Sequence, residues 1–459
     1  MNDNSYILHR KILQIHDILF FMKTINNFGI YIPEILLPKN IDVKTWSVIA
    51  CDQYTQNPDY WKKTSDSTEN KPSTLNLILP EVYLNAPDKK ERISKIHKSM
   101  NDYISADIFS DALNSFIYLE RTTAFGRTRR GLMCCIDLET YEWKPFTTAN
   151  IRATEATIIE RIPPRMEIRR GAPLELPHIM LLVNDKDGSL VEACGDNAKS
   201  SSPVYSGEMM MNGGKISGWA VQDNSIVEKA LNKIAEENKQ EDGSTFLFAV
   251  GDGNHSLATA KSTWEEHKKE TGATDDSVRY ALVEIVNIYD KGLTFEPIHR
   301  VLFNADSEKL ISSLSEKLDG KIEEVSSKEE MIETVKKSNA YFGFAYKKDG
   351  TQKFTIIKTN ITELAVSKLQ PALDEFIKSN GNPEIDYIHG TEDVLELGTK
   401  ENATGILLPP IAKESFFETI GKTGPLPRKS FSMGEADEKR FYLECRKLFK
   451  QDEPKHTQA

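Results

Sequence analysis

Metal-binding or redox cysteine spacing is missing from this chain. Its five cysteines fall at 51, 134, 135, 194 and 445, which is neither a disulfide framework nor a CxxC pair, and the scatter suits a reducing cytosol. Long apolar runs are missing too. None approaches the length that spans a bilayer, and Ile18 to Met22 is too short for the apolar part of a signal peptide, so no membrane partner is expected. Basic charge is in deficit: Lys and Arg number 58 against 69 Asp and Glu, a net charge of −11. Nucleic-acid affinity depends on phosphate neutralisation by a basic face, so nucleic acid is not expected as the main partner, although a local basic site stays open. No internal repeat is evident, and the histidines lack HExxH spacing.

With 459 residues, 39% of them hydrophobic and 28% charged, the chain can bury a sizeable core and should divide into two or three subdomains. Its most informative stretch is FLFAVGDGNHSLATAKSTW, from Phe246 to Trp264. Phe246 to Val250 reads as a buried strand. Gly251 and Gly253 allow a tight turn with close backbone approach, and a helix is expected from Asn254, His255 and Ser256 onward. Free N–H groups and the positive end of the helix dipole favour phosphate there, Asp252 can hold a cation, and His255 can exchange a proton. The plainer reading of the same residues is a capped helix after a buried strand.

Around this stretch the pattern predicts an extended segment at 28–38, a short strand at 42–50, a polar loop at 62–72 and a helix at 89–105. Asp52, Gln53 and Tyr54 fall at an expected strand end, in a turn with packed aromatics or lining a pocket. Strands at 116–120 and 131–138 flank a loop carrying Arg121, Arg127, Arg129 and Arg130, read first as solvated surface and second as a grip for phosphate or carboxylate. A strand at 181–185, a mobile loop at 207–218, a helix at 226–237 and an apolar strand at 278–289 follow. Residues 306–360 read as an inserted α+β subdomain ending in a hairpin at Lys348 to Thr351. A helix is expected at 361–379, strands at 386–390 and 406–409, and a charged amphipathic tail helix at 435–449.

Several of these stretches carry a resemblance. GDGNHSLATAK, Gly251 to Lys261, resembles the DGHHR-type signature of the prokaryotic domain-of-unknown-function family numbered 1015, with Asn254 in place of the first His and Ser256 in place of the Arg. IRATEAT (Ile151 to Thr157), EPIHRVLF (Glu296 to Phe303), DYIHGTEDV (Asp386 to Val394) and the segment Leu426 to Leu448 resemble further parts of it, in order, so the similarity runs from about Met22 to Phe449. More remotely, the signature resembles the phosphate-binding motif of the ParB and sulfiredoxin-like fold, whose members include partition proteins and kinases of free serine.

The resemblance implies an α/β fold with a mixed sheet core and a phosphate-binding turn, plus the small inserted subdomain. The expected division is an appendage at 1–22, which contains Lys11, His16 and Asp17, a core at 23–305, the insertion at 306–360, a part completing the core at 361–449 and a tail at 450–459. It implies a catalytic set of Glu155, Asp252 and His255, with Glu155 matching a HExT pattern in which Thr154 replaces the usual His. Gly251, Gly253, Asn254, Ser256 and Arg300 would bind phosphate or nucleotide; Arg152, His299 and His389 would bind substrate; Asp252 would hold Mg²⁺. For His299 and Arg300 the plainer reading is a buried pair. The function expected is a nucleotide-dependent phosphotransferase, a kinase using ATP on a small polar hydroxy metabolite such as free serine. The alternatives are a nucleotide-binding switch or scaffold resembling partition proteins, and a metal-dependent hydrolase.

Overall fold

Three strands of nearly unbroken apolar sequence, Tyr280–Asn287, Met180–Val183 and Phe248–Asp252, lie side by side in the middle of the larger of two sheets. The computed structural model describes residues 27–449. Across the ten-stranded sheet the order is Tyr205–Glu208, Lys215–Ala220, Ile117–Thr122, Thr128–Asp137, Tyr280–Asn287, Met180–Val183, Phe248–Asp252, Ile151–Ala153 and Tyr141–Glu142, with Ile30–Tyr31 pairing off this path onto Thr128–Asp137. Parallel pairing joins Met180–Val183 to Tyr280–Asn287, and Ile151–Ala153 to both of its neighbours; the other pairs are antiparallel. The chain is therefore a mixed α/β protein.

Both faces of the central strands are covered, which is why their sequence does not alternate with polar residues. Leu181, Val183, Phe248 and Val250 face one core together with Trp264, Leu257 and the strands Ile117–Thr122 and Thr128–Asp137. Met180, Leu182 and Ala249, one position out of phase, face a second core shared with Leu302, Phe344 and Ile406. Those last three residues belong to the second sheet, six antiparallel strands ordered Lys321–Val325, Thr351–Lys358, Tyr341–Lys348, Ala403–Leu407, His299–Phe303 and Glu384–Ile388. The stretch 306–360 thus supplies three of its strands, and three come from before and after it. The hairpin turn falls at Asp349 and Gly350, both at positive φ, as a two-residue primed turn requires.

Several local expectations differ from the structure. Residues 42–50 hold a helix, Val43–Trp46, capped by Asp42, before the two-residue strand Val48–Ile49. The polar 62–72 stretch is mostly the helix Pro58–Thr68, started by the Asn57 side chain and by Pro58 in the first turn; few apolar residues mark it, so apolar spacing does not reveal it. The glycine-rich 207–218 stretch is a paired hairpin, Tyr205–Glu208 with Lys215–Ala220. Residues 435–449 form no α-helix: a 3-10 turn, Ala436–Glu438, leads into the short strands Phe441–Tyr442 and Arg446–Lys447, paired with Val48–Ile49 and Leu174–Glu175. Their charges are internal. Arg440 bonds Glu444 at 2.6 Å, Arg446 bonds Glu175 at 2.7 Å, and these side chains are buried.

Of the arginine cluster, Arg130 is exposed as solvated surface, while Arg121, Arg127 and Arg129 turn inward. Arg121 is buried and its guanidinium donates to the carbonyls of Gly213, Asp437, Glu438 and Lys439, while burial holds its pKa down to about 9. Arg129 pairs with Glu284 at 3.1 Å and Arg127 with Glu438 at 2.6 Å. Rather than forming solvated surface, they fasten the C-terminal segment across the sheet. The expected appendage at 1–22 and tail at 450–459 lie outside the described residues. Among the described residues no helix is long and apolar enough to cross a membrane.

Candidate active site

The strand Ile151–Ala153 runs parallel to Phe248–Asp252, with Ala153 opposite Val250. Parallel neighbours end at the same edge, so Thr154 and Glu155 leave the sheet beside Asp252 and Gly253, where ligand sites gather in α/β sheets. A cavity of about 930 Å³ opens there. Its lining includes Thr154 and Glu155, the turn Gly251 to Ser256, the acidic Asp52 and Glu81, the basic Arg161, Arg165, Lys429 and Lys439, and the apolar Ile298 and Phe431.

The turn is sterically fixed. Gly253 sits at φ +79° as the residue before the helix Asn254–Thr271, a conformation glycine adopts without penalty. A Cβ on Gly251 would lie 2.8 Å from Leu182 Cγ and 2.9 Å from Met433 Cε, so only a hydrogen fits. The Asn254 side chain locks the turn to the neighbouring strand: its Oδ1 accepts from Thr154 N at 3.3 Å and its Nδ2 donates to Thr154 Oγ1 at 3.2 Å. Asn254 is thus committed to holding the turn. The first N–H groups of the helix keep no intrahelical acceptor and stay available to an anion.

Two carboxylates meet above it. Asp252 Oδ1 accepts from Gly253 N at 3.1 Å and Oδ2 lies 3.4 Å from Lys439 Nζ. Glu155 Oε1 accepts from Ser430 N at 3.3 Å. Burial pushes the Glu155 carboxyl up to about 7, against the pull of that amide and of Lys429; neighbouring Asp252 adds to the rise. The segment from Leu426 to Ser430 is fastened beside Thr154 and Glu155, since Leu426 N donates to Thr154 O at 2.7 Å and Ile298 N to Ser430 O at 3.3 Å. Lys429 between them is at φ +59°, a left-handed conformation that costs a non-glycine residue of order 1–3 kcal/mol.

One ring nitrogen of His255 is already engaged. Its Nε2 accepts from Ile158 N at 3.2 Å, and burial, aided by Arg165 and Arg161, brings its pKa down to about 4. At neutral pH it is an uncharged imidazole with Nδ1 as its donor. Ser256 Oγ lies 3.1 Å from Nε2 of the buried His178. His178 Nδ1 in turn lies 2.8 Å from Tyr442 Oη, which accepts from Cys51 N at 3.2 Å. His178 Nε2 also lies 3.8 Å from Oδ2 of Asp52, one of the cavity's lining carboxylates.

Of the expected site residues, Glu155, Gly251, Asp252, Gly253, Asn254, His255 and Ser256 line this cavity. Arg152, His299, Arg300 and His389 do not. Arg152 donates to Ala149 O and Ser244 Oγ, stacks over Phe246 and lines a separate small pocket. His299 accepts from Leu408 N through Nδ1 at 3.1 Å and is held down to about 4 by burial. Arg300 is buried against Gln370, Ile298 O and the Tyr387 ring, with Glu155 among the charges it feels. Lys439 and Glu81 line the cavity and His178 backs Ser256 without any motif in the sequence that marks them. Lys439 sits in a charge-rich segment read as helix, and only its pairing with Asp252 marks it; His178 carried a usable signal as a polar residue two positions before an apolar strand.

A protein-family model described as "Protein of unknown function (DUF1015)" matches residues 36–376, well over half of the chain. No curated protein matches it. Among solved structures, a conserved hypothetical protein from Pyrococcus furiosus is similar at 14% identity and a TM-score of 0.32, over 64% of this chain and 92% of that one. A free serine kinase in complex with AMP is similar at 13% identity and 0.34, over 67% and 94%. SbnI from Staphylococcus aureus, truncated at its C-terminus, is similar at 9% identity and 0.32, over 66% and 82%. At such scores, what those proteins bind is a statement about them.

Proposed function

The chain belongs to the DUF1015 family, and we propose that it is a nucleotide-dependent phosphotransferase acting on the hydroxyl of a small polar metabolite. One observation carries this reading: a carboxyl raised to about 7 shares a cavity with a glycine turn at a helix N-terminus and with Arg161, Arg165, Lys429 and Lys439. Phosphoryl transfer asks a protein mainly for positioning and charge neutralisation, and a general base is best placed with a pKa near the working pH. Glu155 takes the proton of the acceptor hydroxyl as its oxygen forms a bond to the terminal phosphorus and the bond from that phosphorus to its bridging oxygen breaks. Lys429 and Lys439 neutralise the charge that shifts onto the phosphate oxygens. The turn's backbone N–H groups hold the remaining phosphates.

Mg²⁺ suits the donor set, because it commonly binds through one or two carboxylates with phosphates and water as its other ligands. Asp252, half withdrawn into the cavity beside Lys439, would hold it, and the ion would neutralise phosphate charge. The hydrolase reading needs a cluster of protein ligands, and among the described residues no group of three or more His, Cys, Asp or Glu is placed to hold a metal. Free serine is the first acceptor to test, by the resemblance of the turn's signature. The test is thermal melting with ATP and Mg²⁺, followed by a screen of hydroxy metabolites for ADP release. A raised melting temperature with turnover of one acceptor supports the reading. Binding without turnover of any acceptor hands the site to the switch reading, and no binding removes both.

A further inference from the structure

A second, apolar cavity of about 150 Å³ adjoins the first, sharing Glu81, Leu84, Arg165 and Ser256 with it. Beyond that polar neck its walls are Leu77, Leu79, Met100, Ile168 and Leu176, with His178 and Tyr442 at one side. None of Glu155, Asp252, Lys429 and Lys439 lines it. The molecule therefore presents three zones in a row: the anion-binding turn, a polar neck at Ser256, and an apolar annex.

We propose that the annex holds the base of the nucleotide, an aromatic heterocycle; this rests on the nucleotide reading above. The order of the zones matches the order of a nucleotide's parts, with phosphates on the turn, the hydroxylated sugar at the neck and the flat apolar base beyond it. Ser256 stands two residues into the helix from Asn254, about 3 Å along its axis, so phosphate and sugar contacts follow one another on the same helical turn. The acceptor does not belong in the annex, because its reacting hydroxyl must reach Glu155, which lines the first cavity and not the annex. An apolar pocket with a few polar groups at its mouth is how proteins generally take up such rings.

The experiment compares ATP with inorganic tripolyphosphate, by calorimetric titration with Mg²⁺, in the wild type and in Ile168→Trp and Leu176→Phe. Both side chains line the annex alone and are only partly buried, so larger replacements fill it with little disturbance of the cores. The expected result is that ATP binds the wild type roughly tenfold to a hundredfold tighter than tripolyphosphate. That gap closes in both variants while tripolyphosphate affinity is unchanged. Equal affinity of the two ligands for the wild type, or a gap that persists in both filled variants, overturns the annex assignment and leaves the phosphate site standing. Binding of neither ligand overturns the nucleotide reading and the annex with it.

Discussion

Replacing Glu155 with Gln should make the protein more stable at pH 8 while removing most of its turnover. The carboxyl ionises at about 7 in the fold against an ordinary 4.5, chiefly because the cavity wall strips its water. Between those two values the folded chain holds more protons than the unfolded chain, so stability falls as pH rises from 4.5 to about 7 and stays reduced above it. At about 1.4 kcal/mol per pH unit the ceiling on this penalty is roughly 3 kcal/mol, and relaxation around the partly exposed group brings the expected value to about 1–2 kcal/mol. Gln keeps the acceptor for Ser430 N and never ionises. Urea unfolding of both proteins at pH 5 and pH 8 measures the effect: near equality at pH 5, Gln ahead at pH 8. Turnover should fall by roughly a hundredfold to ten-thousandfold, and the wild-type rate should rise through pH 7 as the base ionises. A stability difference that does not grow between pH 5 and pH 8 refutes the desolvation argument; full turnover by Glu155→Gln refutes the assignment as base.

Asp252→Asn should abolish Mg²⁺-dependent nucleotide binding at a stability cost under about 1 kcal/mol, since the carboxylate stands on a turn outside both cores; titration beside a thermal melt checks it, and unchanged affinity removes Asp252 from the site. Gly253→Ala should cost about 1–2 kcal/mol, because φ +79° disfavours a side chain and the new Cβ meets Ile179 at 3.1 Å, and it should weaken nucleotide binding as the turn shifts; wild-type stability and affinity together would contradict the fixed-turn account. Glu284→Gln leaves Arg129 and Arg440 buried without their shared carboxylate, and denaturant unfolding should show a loss of about 3–5 kcal/mol. A loss below 1 kcal/mol would mean those arginines find other partners.

The sequence by itself determined the parts whose physics is local. The strand, glycine turn and helix around residues 246–264 follow from an apolar run, two glycines and helical spacing, and the structure has them at Phe248–Asp252 and Asn254–Thr271. The helix Lys89–Ser105 and the hairpin at Asp349 and Gly350 were legible for the same reason. The mixed α/β class followed from such elements and from the resemblance. Tertiary structure alone decided what meets what. Arg121, Arg129, Arg440 and Arg446 look like solvated charge in a one-dimensional pattern, and they are buried because carboxylates and carbonyls distant in sequence pair with them. The place of His255 beside the glycine turn was legible but its neutral state was not, since that depends on burial, on Arg165 and Arg161 nearby and on the Ile158 amide. Lys439 joins Asp252 across nearly two hundred residues, a pairing set by how the C-terminal segment crosses the sheet edge. Spacing reports the faces of single helices and strands; the charge state and company of a side chain belong to the packed molecule, where burial and distant partners set its energy.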